Sequence, residues 1–252
     1  MIPISLNEEN AEGIIKGVDV VDGLDQIEPR YVLNRTCVKL DIPYIFGAAI
    51  ETFGNLSTIL PGKTQCLECF MPDLTDLKLP TCGVVGVHPS ISCIISSLQV
   101  SEAVKIILGK EPSLTNKLLF CDLRRLSFEE LYISRMEKCP ICGVKEALTP
   151  IKTRKLVETI CGRRGHPAFV ITPKKNLELN MDRLNKILEE RGYHSKIKAQ
   201  LGATFDINDN VTISTMSSGI AILEGFKDES EVLSIYKKTI VDDLGVYRPD
   251  IK

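Results

Sequence analysis

The sequence has little excess charge of either sign, and its beginning does not resemble a targeting segment. The formal net charge is −2, and acidic and basic residues are interleaved along the chain. No basic field therefore argues for a nucleic-acid partner. The first residues, MIPISLNEENAEG, are acidic, whereas a signal peptide begins with basic residues followed by an apolar core. We expect a cytoplasmic protein that does not bind nucleic acid.

Long apolar runs, internal repeats and low-complexity tracts are also missing. The most apolar stretch, residues 42–50, is too short to cross a bilayer and contains Pro43 and Gly47. We therefore expect no association with a membrane. The chain has 252 residues, of which 44% are hydrophobic. That length and composition are enough for one large globular domain or two small ones.

The pattern of apolar residues predicts an α/β domain over residues 1–147. A buried strand, VDVVDG, precedes a helix over residues 29–40, and two further strands follow in residues 42–62. Gly54 and Asn55 suggest a bend or bulge in the second of these. Apolar residues spaced by three and four predict a helix over residues 91–108, with Gly109 just beyond its end.

From about residue 148 the pattern changes to short strands separated by two polar helices. The strands read AFVIT, KIKAQ, VTIST and IAILEG, and the helices cover about residues 182–190 and 229–242. We predict a smaller α+β domain over residues 148–252, with a mostly antiparallel sheet.

Nine cysteines are present, and four of them form two C-x-x-C pairs: Cys66 with Cys69, and Cys139 with Cys142. Two residues between ligands let both sulfurs of a pair reach one ion from a tight turn. Four thiolates favour a soft tetrahedral ion, with zinc first and iron second. Four unrelated buried thiols, or a redox-active C-x-x-C, are the alternatives. Because four protein ligands leave no open position, we predict that the zinc is structural.

Asp22 and Asp25 follow the buried strand and precede a helix. Ligands of open α/β sheets bind at that edge, and a carboxylate there can hold Mg²⁺ beside a nucleotide's phosphates. The alternative is that one of these residues caps the helix, since Asp is favoured at an N-cap. The residues alone leave both interpretations open.

Cys82 lies in a glycine-containing stretch ahead of a helix. A loop thiol near a helix N-terminus has a stabilised thiolate and can act as a nucleophile, whereas most free thiols are buried and inert. His88 is close enough in sequence to assist this thiol, whereas a lone histidine in a loop is more often simply solvated. Cys37, Cys93 and Cys121 fall within apolar helix or strand patterns and are predicted to lie in the core.

Taken in order, these segments resemble the C-terminal half of the ThiF/MoeB/HesA family of ubiquitin-activating-like enzymes. The segments that carry the resemblance are VDVVDGLDQIEPRYVLN, PYIFGAAIETFGNLSTILPG, CLEC, TCGVVGVHPSISCIISSLQVSEAVKIILG and CPICG. The resemblance implies an adenylyltransferase that uses ATP and Mg²⁺ to activate the C-terminal Gly of a ubiquitin-like or sulfur-carrier protein. It also implies a partial Rossmann-like sheet in residues 1–147 and a homodimer.

The resemblance further assigns roles to individual residues. It implies that Asp25 binds Mg²⁺ and ATP, that Cys82 is the nucleophile which receives the acyl group, and that Cys66, Cys69, Cys139 and Cys142 bind zinc. One departure stands out: no G-x-G-x-x-G follows a strand anywhere in the chain. Glycine-rich loops of that kind cradle nucleotide phosphates.

We therefore expect adenylation to be incomplete in this chain alone and a companion chain to supply the rest. The alternatives are a non-catalytic zinc-stabilised module that binds a ubiquitin-fold partner, a split-enzyme subunit, and an iron four-thiolate electron carrier.

Overall fold

The computed structural model describes residues 5–18, 20–75, 85–143, 156–161, 167–173 and 175–245. The chain forms two compact units, one over Leu6–Lys152 and one that includes Thr153–Lys252. The predicted boundary between residues 147 and 148 lies outside the described residues.

The first unit contains a five-stranded sheet with the strand order β1-β2-β3-β4-β5. Its strands are β1 (Val20–Val21), β2 (Tyr44–Ile50), β3 (Phe53–Ile59), β4 (Lys117–Asp122) and β5 (Ser127–Tyr132). Its helices are α1 (Ala11–Ile15), α2 (Ile27–Leu40), α3 (Leu67–Phe70) and α4 (Pro89–Ile107). The predicted helices and strands of this region are therefore present, with bounds shifted by a few residues.

The direction of the strands differs from the Rossmann-like expectation. Only β1 and β2 run parallel among the described strands of this sheet, and the other three pairs are antiparallel. A tight hairpin joins β2 to β3, with Ile50 opposite Phe53 and Glu51 in the left-handed region at φ 48°. A two-residue connection can only join antiparallel strands, because a parallel pair needs a long crossover. The unit is thus a mixed α/β fold in which antiparallel pairing dominates.

Gly54 does not mark the expected bulge in β3. The β2–β3 ladder keeps one continuous register from Tyr44 opposite Ile59 to Ile50 opposite Phe53. Glycine is instead needed for space, because a Cβ at position 54 would lie 2.6 Å from the side chain of Ile95 on α4. The glycine allows α4 to pack close against the sheet.

Helices cover both faces of this sheet. On one face, α2 and α3 pack with Tyr44, Phe46 and Ile59 in a cluster that also contains the C-x-x-C cysteines. On the other, Ile91 and Ile95 of α4 pack against Ile45 and Leu56. Gly109 follows α4 with φ 66°, as predicted for a residue just past a helix end.

Helix α4 is also long and apolar enough to cross a membrane by length and composition. A single helix of this kind is weak evidence, and the polar side chains of Gln99 and Glu102 on its buried side hydrogen-bond within the unit.

The second unit contains a six-stranded sheet in the order β6-β7-β11-β10-β9-β8, in which every neighbouring pair is antiparallel. Its strands are β6 (Val157–Cys161), β7 (Pro167–Ile171), β8 (His194–Ala199), β9 (Gly202–Asn208), β10 (Val211–Met216) and β11 (Ala221–Glu224). Its helices are α5 (Met181–Glu190) and α6 (Glu229–Tyr236), which continues as a π-helix over Lys237–Asp242.

Local sequence explains where these two helices begin. The side chain of Asn180 accepts a hydrogen bond from the amide of Arg183, and Asp228 accepts from the amides of Ser230 and Glu231. Both helices pack on one face of the sheet through an apolar cluster that includes Phe205, Ile213 and Leu223. The predicted α+β arrangement with an antiparallel sheet is therefore observed, and β6 and β9 add two strands to it.

Candidate functional site

The four cysteines of the two C-x-x-C pairs meet in the interior of the first unit. All four are buried, and their Sγ atoms lie within 4.8 Å of one another. The Sγ–Sγ distance is 3.9 Å from Cys66 to Cys69, 3.6 Å from Cys66 to Cys139, and 3.3 Å from Cys69 to Cys142. Sulfurs at 2.3 Å from a tetrahedral zinc would be separated by about 3.8 Å. The cluster therefore has the size and the donor set of a four-thiolate metal centre.

Each pair is held in a tight backbone turn. Cys66 precedes α3, and the amide of Cys69 donates to the Cys66 carbonyl at 3.1 Å. In the second turn the amide of Gly143 donates to the Cys139 carbonyl at 2.9 Å. A Cβ at position 143 would lie 2.2 Å from the carbonyl oxygen of Glu137, so only glycine fits where the chain turns back on itself.

Helix α2 positions the first turn through three polar side chains. The side chain of Asn34 accepts from the amide of Leu67 at 3.0 Å and donates to Glu68 at 3.1 Å. Arg35 forms an ion pair with Glu68 at 2.7 Å. The Tyr31 hydroxyl donates to the Met71 carbonyl at 2.5 Å and accepts from the amide of Leu74. These contacts join residues more than 30 positions apart, so the polar side chains of α2 tie the first turn to the rest of the unit.

The close approach of the thiols shifts their pKa values in opposite directions. Hydrogen bonds from the Cys142 and Cys66 thiols lower the pKa of Cys69 well below its ordinary value. Hydrogen bonds to Cys142 and Cys69, together with burial, raise the pKa of Cys66. A metal ion would replace the protons of these thiols, since cysteine binds metal as the thiolate.

The structure places Asp25 on the surface, in the segment between the C-terminal end of β1 and the start of α2. The interpretation that an Asp caps the helix is wrong, because Gln26 occupies the N-cap position of α2. Asp22, three residues earlier, is buried. One of its carboxylate oxygens accepts from the amide of Leu24 at 2.8 Å and so closes the turn that leads to Asp25.

A buried polar network around Asp22 was not anticipated from the sequence. Arg30 approaches the Asp22 carboxylate at 2.9 Å, and the Tyr44 hydroxyl donates to it at 2.8 Å. Gln99 of α4 donates to the backbone carbonyls of Asp22 at 2.8 Å and Ile45 at 3.0 Å. Burial raises the pKa of Asp22, and the Arg30 guanidinium opposes that shift. The network fixes the segment that carries Asp25 against β2 and α4.

One signal in the sequence pointed to part of this network. Arg30 lies in the first turns of α2, a helix with a largely buried surface, and a buried Arg needs a carboxylate partner. Asp22 and Asp25 were both candidates for that partner at the strand end, and the sequence did not distinguish them. The parts played by Tyr44 and Gln99 depend on tertiary packing and had no comparable signal.

The remaining cysteines have different outcomes. Cys82 lies outside the described residues, so its predicted role stays a prediction. Cys37 and Cys121 are buried, as expected, and burial raises the pKa of Cys37 to about 12. The prediction for Cys93 is wrong, because this residue is exposed on α4. Its helix is apolar on both sides, so an apolar neighbourhood in sequence did not mean burial.

Comparison with known proteins gives a family match to the first unit. A family model described as the ThiF family matches residues 2–141. The adenylyltransferase and sulfurtransferase MOCS3 of Drosophila persimilis is 30% identical over 205 residues, which cover 80% of this chain and 43% of that protein. The sulfur carrier protein adenylyltransferase of Thermus thermophilus is 33% identical over 171 residues, which cover 64% of this chain and 61% of that one.

Two further similarities extend the comparison. The sulfur carrier protein ThiS adenylyltransferase of Bacillus subtilis is 26% identical over 243 residues, or 94% of this chain and 69% of that protein. The crystal structure of E. coli MccB with MccA-N7isoASN matches with a TM-score of 0.47 and 18% identity, over 55% of this chain and 44% of that chain. This chain thus spans less than half the length of the MOCS3 proteins it matches.

Proposed function

This chain belongs to the ThiF family, and on that premise we propose that it takes part in the ATP-dependent adenylation of the C-terminal Gly of a ubiquitin-like or sulfur-carrier protein. In that reaction a carboxylate oxygen of the carrier attacks the α-phosphorus of ATP. An acyl-adenylate forms and pyrophosphate leaves. The observation that carries the proposal is the family match to the unit that holds Asp25 and the four-cysteine cluster. The sulfur-carrier adenylyltransferases among its relatives give it further support.

Asp25 is the residue we assign to the nucleotide. Its carboxylate is exposed beyond the carboxyl end of β1, where α/β sheets bind their ligands. The Asp22–Arg30 pair beneath it restrains the backbone that carries it. Asp25 would hold Mg²⁺, and a bound Mg²⁺ would supply positive charge beside the triphosphate. Because the turn is already restrained, the Asp25 carboxylate can bind the ion without a prior ordering of its backbone.

The four-cysteine cluster is assigned to a structural zinc. The donor set and spacing fit Zn²⁺, and all four positions of a tetrahedral ion would be filled by protein. Such an ion binds no substrate, so its contribution is to join the turns at 66–69 and 139–142. Iron would use the same ligands, and visible absorption distinguishes the two metals, because iron–thiolate centres are coloured.

One observation favours the alternative of a split-enzyme subunit or a non-catalytic binding module. The 252 residues contain no G-x-G-x-x-G, the motif whose backbone binds nucleotide phosphates. In that case the chain would bind a ubiquitin-fold carrier, and a companion chain would supply the phosphate-binding loop.

The proposal is tested by ATP–pyrophosphate exchange with a ubiquitin-fold carrier, in the presence of an N-terminal companion chain. Asp25→Asn should lower the exchange rate by about a hundredfold or more, since it removes a metal-binding charge. Asp41→Asn is the matched control, because Asp41 is also exposed but lies at the opposite end of α2. Equal rates for the two variants would refute the role of Asp25. Exchange that never occurs with any carrier, while the carrier still binds, would favour the binding module.

The same assay tests Cys82. A nucleophile that acts after adenylation is not needed for the first step. Cys82→Ala should therefore leave pyrophosphate exchange within about twofold of wild type and abolish any carrier adduct that thiols cleave. Loss of exchange in this variant would mean that Cys82 is structural.

A further inference from the structure

The amide side chain of Gln99 joins helix α4 to the end of strand β1. Gln99 lies on the side of α4 that faces the sheet and is only 4% exposed. Its Nε2 atom donates to the carbonyl oxygens of Asp22 at 2.8 Å and Ile45 at 3.0 Å. Both hydrogens of the amide are therefore used on the backbone, one on β2 and one on the residue that follows β1.

Strand β1 gives the segment that follows it little support of its own. It has two residues, and its pairing with β2 joins Val20 to Tyr44 and Val21 to Ile45. The pairing ends where the amide of Asp22 donates to the Ile45 carbonyl at 3.2 Å. Most strands have about five or six residues. Because β1 is so short, side-chain contacts must fix the direction of the chain after Asp22.

Asp22 is held from both faces of the sheet. Arg30 and the Tyr44 hydroxyl contact its carboxylate on the face that α2 covers. Gln99 contacts its carbonyl from the face that α4 covers. The first two contacts fix the side chain, whereas the bond to Gln99 fixes the orientation of the peptide group between Asp22 and Gly23. Since that group is planar, its orientation sets the direction in which the chain leaves β1.

The sheet makes room for this amide at Gly47. A Cβ at position 47 would lie 2.5 Å from the Cδ and Nε2 atoms of Gln99, so the amide occupies the space that a side chain on β2 would need. Glycine inside a strand often marks such a close approach. Gly47→Ala would therefore displace the amide without removing it.

Glu102 provides a comparison on the same helix. It lies three positions after Gln99, is also buried, and accepts hydrogen bonds from Thr58 and from the amides of Ser113 and Leu114. Both side chains tie α4 to the rest of the unit. Those partners of Glu102 lie outside the turn that precedes Asp25, whereas Gln99 contacts the residue from which that turn starts.

We propose that Gln99 is a positioning residue for Asp25, because it sets the direction of the turn that presents this carboxylate to Mg²⁺. The turn is closed by the Leu24 amide, which donates to the Asp22 carboxylate at 2.8 Å. Without the Gln99 amide, the Asp22 peptide adopts further orientations. The apparent affinity for the ion then falls with the population of the competent orientation. The role of the ion rests on the proposed function, whereas the position of the turn does not.

Hydrogen exchange of the full 252-residue chain tests the position of the turn without metal, nucleotide or carrier. Gln99→Met keeps the length of the side chain and removes both donors. The Leu24 amide should exchange at least about tenfold faster, and the Leu114 amide should keep its protection. Glu102→Gln, the matched control, should show the reverse pattern. Equal protection of the Leu24 amide in wild type and Gln99→Met would overturn the proposal, as would an equal loss at both amides in both variants.

Gly47→Ala tests the same contact from the strand. It leaves Gln99 in the chain but should move its amide away from Asp22. The Leu24 amide should again exchange faster, with the Leu114 amide unchanged. Unchanged protection of the Leu24 amide in this variant would contradict the assignment to Gln99. Far-UV circular dichroism shows whether each variant is folded.

The Mg²⁺ dependence of pyrophosphate exchange, with the carrier and the companion chain, tests the link to Asp25. Gln99→Met should raise the Mg²⁺ concentration for half-maximal exchange about tenfold or more. The rate at saturating Mg²⁺ should stay within about threefold of wild type. A purely structural loss would lower the rate and leave the Mg²⁺ requirement unchanged, as we expect for Glu102→Gln. An unchanged requirement in Gln99→Met would refute the positioning role. If wild type gives no exchange with any carrier, the proposed function fails, and hydrogen exchange still decides whether Gln99 positions the turn.

Discussion

Asp22 and Asp25 are three residues apart, and their surroundings are opposite. Asp22 is buried, faces Arg30 and accepts hydrogen bonds from Tyr44 and Leu24, whereas Asp25 is exposed. The sequence offered both as carboxylates at a strand end and gave no basis for choosing between them. The choice is made by Arg30, eight positions on, and by Tyr44 of the neighbouring strand. Asp22 thus supports the turn, and Asp25 is left available to a ligand.

At the same scale, the cysteine cluster yields a prediction about metal content. Cys139→Ser should reduce bound zinc from about one per chain to a small fraction, because a hydroxyl is a poor substitute for a thiolate ligand. Structural zinc contributes directly to folding free energy. We therefore expect the unfolding temperature of the first unit to fall by more than about 5 °C. Metal analysis after native purification and calorimetry measure the two effects.

Cys93→Ser is the control for this change, since Cys93 is an exposed thiol on α4. It should keep both the zinc and the unfolding temperature. If natively purified wild type held neither zinc nor iron, the assignment of the cluster to a metal would be wrong.

At the scale of elements, one carboxylate ties α4 to the segment before β4. Glu102 is buried and accepts from Thr58, from the amides of Ser113 and Leu114, and from Lys105. Burial alone would raise the pKa of Glu102, but these hydrogen bonds outweigh it and lower the pKa below its ordinary value of 4.5. Because the pKa is lower in the folded state, the charged form stabilises the fold. That stabilisation is complete above about pH 4.5 and is lost as pH falls through the folded-state pKa.

Glu102→Gln should therefore destabilise this junction at pH 7 by about 1–3 kcal/mol, and the difference from wild type should shrink below pH 4.5. Hydrogen exchange of peptides that contain the Ser113 and Leu114 amides measures the effect locally. This avoids the assumption that both units unfold together.

Glu130→Gln serves as the comparison, because Glu130 on β5 forms a surface pair with Lys117 on β4. Surface pairs contribute at most about 1 kcal/mol. Equal protection of the Leu114 amide in wild type and Glu102→Gln at pH 7 would show that Glu102 does not hold this junction.

At the scale of the whole molecule, the family match and the cluster both fall within the first unit, and the chain lacks a glycine-rich phosphate loop. We predict that the purified 252-residue chain with a ubiquitin-fold carrier gives no pyrophosphate exchange above background. Addition of an N-terminal companion chain should restore exchange. Robust exchange by the chain alone would support the proposed function. It would also refute the prediction that this chain needs a companion chain for adenylation.

Much of this architecture follows from local patterns. The two C-x-x-C pairs predicted the cysteine cluster, and spacing of apolar residues predicted α4 and the antiparallel sheet of the second unit. Strand direction in the first unit did not follow, because it depends on how the β2–β3 hairpin closes at Glu51. Burial of Cys93 was wrong for another reason. Apolar residues such as Val100 and Val104 also lie on the exposed side of α4, so the position of Cys93 in an apolar segment did not show that it faces the sheet.

Helix α2 holds two separate turns in position, the one before Asp25 and the one that carries Cys66 and Cys69. This double role limits how far its sequence can vary. Eight of its 14 residues are buried, and these include the polar side chains of Arg30 and Asn34. Arg30 holds the turn before Asp25, whereas Asn34 and Arg35 hold the turn that carries Cys66 and Cys69. A replacement of Arg30 or Asn34 by an apolar residue of similar size would preserve packing and still leave a buried partner unsatisfied. Among descendants of a common ancestor, α2 should therefore drift more slowly than α5, where three of ten residues are buried and all three are apolar.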